Sequence, residues 1–148
     1  MDELEVEVSV GEGVSPPVDP ARVEGAVRHV LREEGVGAAE ISIALVGDDE
    51  IAGLNSEYLD HEGPTDVISF ALHEAGEAPL GDVYVGVGQA LRQAAEFGAT
   101  PADEVLRLAV HGTLHVLGYD HPDGAERTAS EMFARQEELL RGFLDADG

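Results

Sequence analysis

Apolar and polar residues alternate in the first segment, "LEVEVSV" (4–10), with the period of a half-buried β-strand. A second alternating stretch, "EISIALV" (40–46), and two apolar runs, "DVISFAL" (66–72) and "DVYVGV" (82–87), predict three more strands. The link between the last two, 73–81, is too short for a helical crossover, so these strands are predicted to be antiparallel.

Elsewhere apolar residues recur every three or four positions, as they do in amphipathic helices. Asp19 before Pro20 and Thr100 before Pro101 are predicted N-caps. The predicted helices span about 20–34, 48–58, 88–97, 101–117 and 124–144. Together these elements predict an α+β fold, a small mixed sheet of about four strands with about five helices, in a single domain over residues 1–148.

The 148-residue chain contains no cysteine, which excludes disulfides and thiolate metal sites. A metal ion would therefore be held by imidazole or carboxylate groups. No signal peptide or membrane span is recognisable, so we expect a cytoplasmic protein without a membrane partner.

The formal net charge is -23, and all eight basic residues are arginines. Such a field repels polyanions and argues against broad nucleic-acid binding through many phosphate contacts. A bound divalent cation can still reverse the charge locally. The acidity is otherwise explained as a solvated surface, for example one adapted to salt.

Three of the six histidines lie within "HGTLHVLGYDH". His111 and His115 are four residues apart on a predicted helix, so both side chains lie on one face and can reach a single ion. Gly118 can end the helix and reverse the chain, which places His121 as a third ligand ahead of Pro122. Three imidazoles with an open fourth position are typical of catalytic Zn²⁺, although ligand type alone leaves other transition metals open.

The same spacing occurs in the zinc-protease motif H-E-x-x-H-x-x-G-x-x-H, where the residue after the first histidine is the general base. Here that residue is Gly112, which cannot accept a proton. The motif therefore predicts a metal site with a different substrate or a different base. Of the other histidines, His29 is interpreted as structural, and His61 and His73 as surface residues.

Three segments resemble the YbeY family of metal-dependent endoribonucleases: "HGTLHVLGYDH", "LNSEYLDHEGPTDVISF" (54–70) and "LGDVYV" (80–85). Their order and spacing agree from about residue 40 to 125. The resemblance implies a zincin-like metal-bearing helix and one Zn²⁺ held by His111, His115 and His121. It also implies cleavage of single-stranded RNA, 3′-end maturation of 16S ribosomal RNA, and ribosome quality control. The expected partners are ribosomal RNA and the small ribosomal subunit or its proteins.

One position departs from the family pattern. Many members carry an arginine after the aromatic residue at Tyr58, whereas this chain has Leu59. A partner protein or the ribosome would then have to supply the basic surface.

Other candidate residues have structural alternatives. Asp120 is a candidate catalytic residue that orients a ligand imidazole or takes a proton, although it could equally cap the helix end. Thr65, Asp66 and Ser69 are candidate substrate-binding residues, with turn formation or strand burial as the alternatives.

Two other functions fit the same residues. One is a metallopeptidase-like hydrolase in which Asp120 or another carboxylate replaces the missing glutamate. The other is a ribosome-assembly factor with a structural zinc, which the acidity and Leu59 favour.

Overall fold

The computed structural model describes residues 3–59, 63, 65–119 and 129–147. Nine elements follow one another along the chain: β1 (Glu3–Val10), α1 (Pro20–Glu33), β2 (Ala38–Val46), α2 (Asp48–Leu59), β3 (Val67–Ala71), β4 (Leu80–Gly86), α3 (Val87–Phe97), α4 (Pro101–Val116) and α5 (Ala129–Asp147). The predicted elements are present with ends shifted by a few residues. The predicted start of the last helix, near residue 124, lies outside the described residues.

The four strands form one sheet in the order β1-β2-β4-β3. β1 and β4 both pair in parallel with β2, whereas β3 pairs antiparallel with β4 at the edge of the sheet. The predicted α+β class and the antiparallel β3–β4 pair are thus confirmed. The single domain over 1–148 and the likeness to zinc-protease helices stay predictions.

Local sequence explains how helices α1 and α4 begin. The side chain of Asp19 accepts a hydrogen bond from the Ala21 N–H at 2.9 Å, and that of Thr100 accepts one from the Asp103 N–H at 3.1 Å. Both predicted N-caps are therefore confirmed.

Helix α4 lies at the centre of the molecule, with ten of its 16 residues buried. It packs against α1, α3 and α5 and against strands β3 and β4. Helix α1 covers β1 through the predicted apolar stripe of Val23, Ala26, Val27, Val30 and Leu31. The predicted metal-bearing helix is thus the element around which the core is built. None of the helices in the described ranges has the length and apolarity needed to cross a bilayer.

Among the described residues, the opposite face of the sheet is covered at one end, where Ile51 of α2 packs with Val46 and Ile68. The remainder of this face carries acidic side chains, Glu5, Glu7, Glu40 and Asp82, which line one shallow cavity. Glu5 and Glu40 are register partners on neighbouring strands, and both are exposed. Like charges in this arrangement lower stability.

Replacing Glu40 by Gln should therefore raise the free energy of unfolding in low salt by about 0.2–1 kcal/mol, and high salt should remove the gain. Urea unfolding measures both effects. Glu57→Gln, at an exposed position on α2, is the control for the general relief of net charge. A gain no larger at Glu40 than at Glu57 would contradict a local repulsion.

Candidate metal and substrate site

His111 and His115 project from consecutive turns of α4 into a groove beside β3. Their rings meet edge to face, with centroids 4.7 Å apart. Both side chains are half-buried, so they are held by the core and still reach the groove. The structure thus brings together the first two predicted ligands as the four-residue spacing requires.

The residue between them, Gly112, faces the sheet and not the groove. A Cβ atom at this position would lie 2.4 Å from Cγ1 of Val83 on β4. A second close approach occurs at Gly81, where a Cβ would lie 2.7 Å from Cγ1 of Val116. A glutamate at position 112 would collide with the sheet. The absence of the protease base is therefore a requirement of how α4 packs.

We expect Gly112→Ala to lower the free energy of unfolding by about 1–3 kcal/mol, because the added methyl overpacks the contact with Val83. The matched control is Gly53→Ala in α2, where a Cβ meets nothing within 4 Å. That change should raise stability by up to about 1 kcal/mol through helix propensity. Adding Val83→Ala to Gly112→Ala should recover part of the loss. Equal urea midpoints for the two single variants would refute the close contact.

The chain reverses directly after α4. Gly118 has φ +102°, and its N–H donates to the carbonyl oxygen of His115 at 3.0 Å. The Tyr119 N–H donates to the carbonyl oxygen of Leu114 at 3.1 Å, which completes a Schellman turn. The buried Tyr119 ring is anchored because its hydroxyl donates to Oε1 of Glu34 at 2.6 Å. The predicted helix end at Gly118 is thus confirmed.

His121 and Asp120 follow this turn but lie outside the described residues, as does Pro122. The third zinc ligand and the catalytic aspartate therefore stay predictions. Within the described ranges, no group of three or more candidate ligands is assembled.

Gln136 of α5 fixes the orientation and the tautomer of His111. The Nδ1 atom of His111 lies 2.6 Å from Oε1 of Gln136. This oxygen can only accept, because the amide Nε2 of Gln136 donates to Oε2 of Glu137 at 2.9 Å. Nδ1 therefore carries the proton and donates, which leaves Nε2 of a neutral ring available to a metal ion. The donor set fits Zn²⁺, whose histidine ligands almost always donate their other N–H in this way.

Charged groups extend the support of Gln136 to α4. Oε2 of Glu137 also accepts from Nε of Arg107 at 2.9 Å, and Arg107 pairs with the buried Glu104 at 2.6 Å. Partial burial acts to raise the pKa of Glu137, but the hydrogen bonds from Arg107 and Gln136 outweigh it and hold the pKa below its usual range. This contribution to stability is present above the unfolded pKa of about 4.3 and is lost as the pH falls through the lower folded value.

Gln136→Leu should weaken zinc binding by about 10- to 100-fold, because His111 loses the acceptor that orients it. Competition with a chromophoric chelator measures the affinity. Gln136→Glu keeps an accepting oxygen and should restore most of it. Gln93→Leu, which removes a partner of Glu104 without touching His111, is the control. A similar loss in the Gln93 and Gln136 variants would indicate a general effect on the fold.

The groove beside the histidines has a volume of about 520 Å³. Its described lining comprises Leu59, all seven residues of the segment 66–72, His111, His115 and Tyr119. Leu59, 44% exposed, thus occupies the wall where the family pattern predicts an arginine.

Of the predicted substrate-binding residues, Asp66 and Ser69 line this groove, whereas Thr65 is not among its described lining residues. Oδ1 of Asp66 accepts from the Val67 N–H at 2.8 Å and from the Thr65 hydroxyl at 3.4 Å. Asp66 and Thr65 therefore have a turn-forming role, and their contact with substrate stays a prediction.

A second cavity, of about 490 Å³, lies on the other side of His115 and is lined by His73. His73 is half-buried, and its Nδ1 lies 3.1 Å from the Leu80 N–H, which can donate to it across the β3–β4 connection. His73 thus lies at the surface, as predicted, but its ring is held by a main-chain contact that the sequence did not reveal. His29 packs against Phe143 at 5.9 Å between ring centroids, as a structural residue would, and His61 lies outside the described residues.

Comparison with known proteins identifies the family. The family model described as Endoribonuclease YbeY matches residues 15–144. The chain belongs to the YbeY endoribonuclease family. The Endoribonuclease YbeY of Bacillus licheniformis is 41% identical over 135 residues, which cover 83% of this chain and 84% of that protein. That of Moorella thermoacetica is 47% identical over 121 residues, covering 74% and 76%.

The fold is also similar to a solved structure. The solution structure of a protein from Thermotoga maritima superposes with a TM-score of 0.67 at 27% identity, covering 97% of this chain and 90% of that one. The resemblance drawn from the three sequence segments is thus confirmed.

Proposed function

We propose that this chain is a zinc-dependent endoribonuclease specific for single-stranded RNA. The observation that carries the proposal is the histidine pair on α4, with Nδ1 of His111 held by Gln136 so that its Nε2 is not used in that contact. Family membership supports an endoribonuclease that hydrolyses phosphodiester bonds.

His111, His115 and His121 would hold one Zn²⁺ ion per chain. Bound there, zinc would supply Lewis-acid activation of the scissile phosphodiester at neutral pH. The chain itself would bind and orient the RNA along the groove, with Thr65, Asp66 and Ser69 as substrate contacts. Asp120 would hold or move a proton beside His121.

The biological role that we propose is 3′-end maturation of 16S ribosomal RNA, together with ribosome quality control in the cytoplasm. Ribosomal RNA and the small ribosomal subunit or its proteins would be the partners. The family name supports RNA as the substrate, and the ribosomal setting rests on the resemblance of the three sequence segments.

The two other functions are less well supported. A metallopeptidase needs a base near the metal, and the usual position is closed because Gly112 packs against β4. An assembly factor with a structural zinc would not need an open groove beside two half-buried histidines. The relatives are named endoribonucleases, which favours neither alternative.

His115→Ala should abolish stoichiometric zinc binding and reduce RNA cleavage by more than about 100-fold, which exceeds the usual effect of losing an outer hydrogen-bond partner. Metal analysis and cleavage of a defined single-stranded RNA, with and without chelator, measure the two effects. His29→Ala, on α1 against Phe143, is the control and should keep both properties.

Unchanged 16S 3′-end processing in cells that carry His115→Ala, with ribosome association intact, would support the structural-zinc alternative. Chelator-sensitive cleavage of an unstructured peptide, without cleavage of RNA, would support the peptidase.

A further inference from the structure

The groove beside the histidines follows the edge of the sheet. β3 is the last strand of the sheet, and every residue from 66 to 72 lines the groove. A ligand in the groove therefore lies against the main chain of an edge strand as well as against side chains.

The pairing of β3 with β4 determines which main-chain groups face outward. The Gly86 N–H donates to the carbonyl oxygen of Asp66 at 2.8 Å, and the Leu72 N–H donates to that of Leu80 at 2.7 Å. Successive residues of an antiparallel strand point their N–H and carbonyl groups alternately towards and away from the partner strand. The even-numbered residues of β3, Ile68 and Phe70, therefore bond to β4. The N–H and carbonyl groups of Val67, Ser69 and Ala71 point away from the sheet.

Only one of these outward N–H groups is used within the described part of the chain. The Val67 N–H donates to Oδ1 of Asp66. The N–H groups of Ser69 and Ala71 have no hydrogen-bond acceptor among the described residues. Two donors and three carbonyl acceptors thus line the groove next to the histidine pair.

No arginine is among the described residues that line this groove. The wall at Leu59 is apolar, and exposed Leu72 extends it. Several arginines are engaged elsewhere, including Arg92 with Asp48 and Arg107 with Glu137. Binding in the groove must therefore rely on hydrogen bonds and apolar contact far more than on ion pairing.

We propose that single-stranded RNA binds along the edge of β3, with the main-chain N–H groups of Ser69 and Ala71 donating to its phosphate or base acceptors. The outward carbonyls accept from 2′-hydroxyl or base donors, which an unpaired ribonucleotide strand presents together. Main-chain N–H groups are ordinary phosphate ligands, and the apolar wall suits base faces. This inference rests on the proposed function.

The first test removes one outward donor. Ala71→Pro deletes the N–H of Ala71 without removing a bond to β4, and an edge strand tolerates proline where the N–H faces outward. RNA affinity should fall by about 3- to 10-fold, the effect of one hydrogen bond. Fluorescence anisotropy with a labelled short oligouridine and the zinc-loaded protein measures it, with RNA integrity checked on a gel.

The matched control is Val10→Pro at the opposite edge of the sheet. The N–H groups of Glu3 and Gly11 donate towards β2, so the N–H of Val10 points outward. Val10 is 40% exposed and lies at the end of β1, away from the groove. This variant should bind RNA as the unmodified protein does.

The second test uses salt. Because amides carry no net charge, the logarithm of the binding constant should fall with the logarithm of salt concentration with a slope of about -1 or shallower. Leu59→Arg adds one cation to the groove wall and should steepen the slope by about 0.7. A slope steeper than about -3 in the unmodified protein would overturn the proposal, since several cations would then carry the binding.

Nuclear magnetic resonance decides the outcome even where a proline variant does not fold. The amide signals of Ser69 and Ala71 should shift and gain exchange protection when oligouridine is added. RNA cleavage with unshifted amides, or full affinity in folded Ala71→Pro, would overturn this inference and leave the proposed function standing. Zinc-loaded protein that neither binds nor cleaves RNA would defeat both. Amide shifts caused by an extended apolar peptide, and not by RNA, would overturn the inference. They would indicate that the edge of β3 binds a peptide as an added strand.

Discussion

The contact between Gly112 and Val83 determines how deeply α4 lies against the sheet. The second contact, between Gly81 and Val116, fixes the helix one turn further on. At this depth His111 and His115 reach the groove from a helix that is mostly buried. Closely packed interiors resist small displacements. The histidine pair is therefore held in place by the core, which would lower the ordering cost of binding the proposed metal ion.

Four of the arginines form ion pairs within the fold. Arginine supplies all the positive charge, and Arg28, Arg92, Arg107 and Arg135 form ion pairs with carboxylates of the chain. Arg107 holds Glu137, and through it the amide that orients His111. These cations serve the fold and the histidine site. A strongly acidic protein can still bind a polyanion if the contacts are main-chain amides and a divalent ion.

Sequence patterns predicted much of this structure because the relevant signals are local. Periodicity located the helices and strands, Asp19 and Thr100 marked helix starts, and the spacing of His111 and His115 placed them together. The contacts of Gln136 and His73 were missed, because their partners lie 25 and seven residues away.

One signal for Gln136 was present in the sequence. It interrupts the apolar stripe formed by Met132, Leu139 and Leu140, and a buried polar residue in such a stripe requires a partner. The role of Gly112 could not be read from sequence, since only the fold shows that its missing side chain would meet Val83.

The anchoring of Tyr119 has a consequence for the proposed metal site. Glu34, which accepts from the Tyr119 hydroxyl, also pairs with Arg135 of α5, so the turn after α4 is tied to two other helices. His121 follows Tyr119 by two residues, a tether of about 7 Å at full extension. On so short a tether, His121 would act in the proposed site as an intramolecular ligand at high effective concentration. Zinc retention would then depend on Tyr119, whose hydroxyl is engaged by Glu34 at the end of another helix.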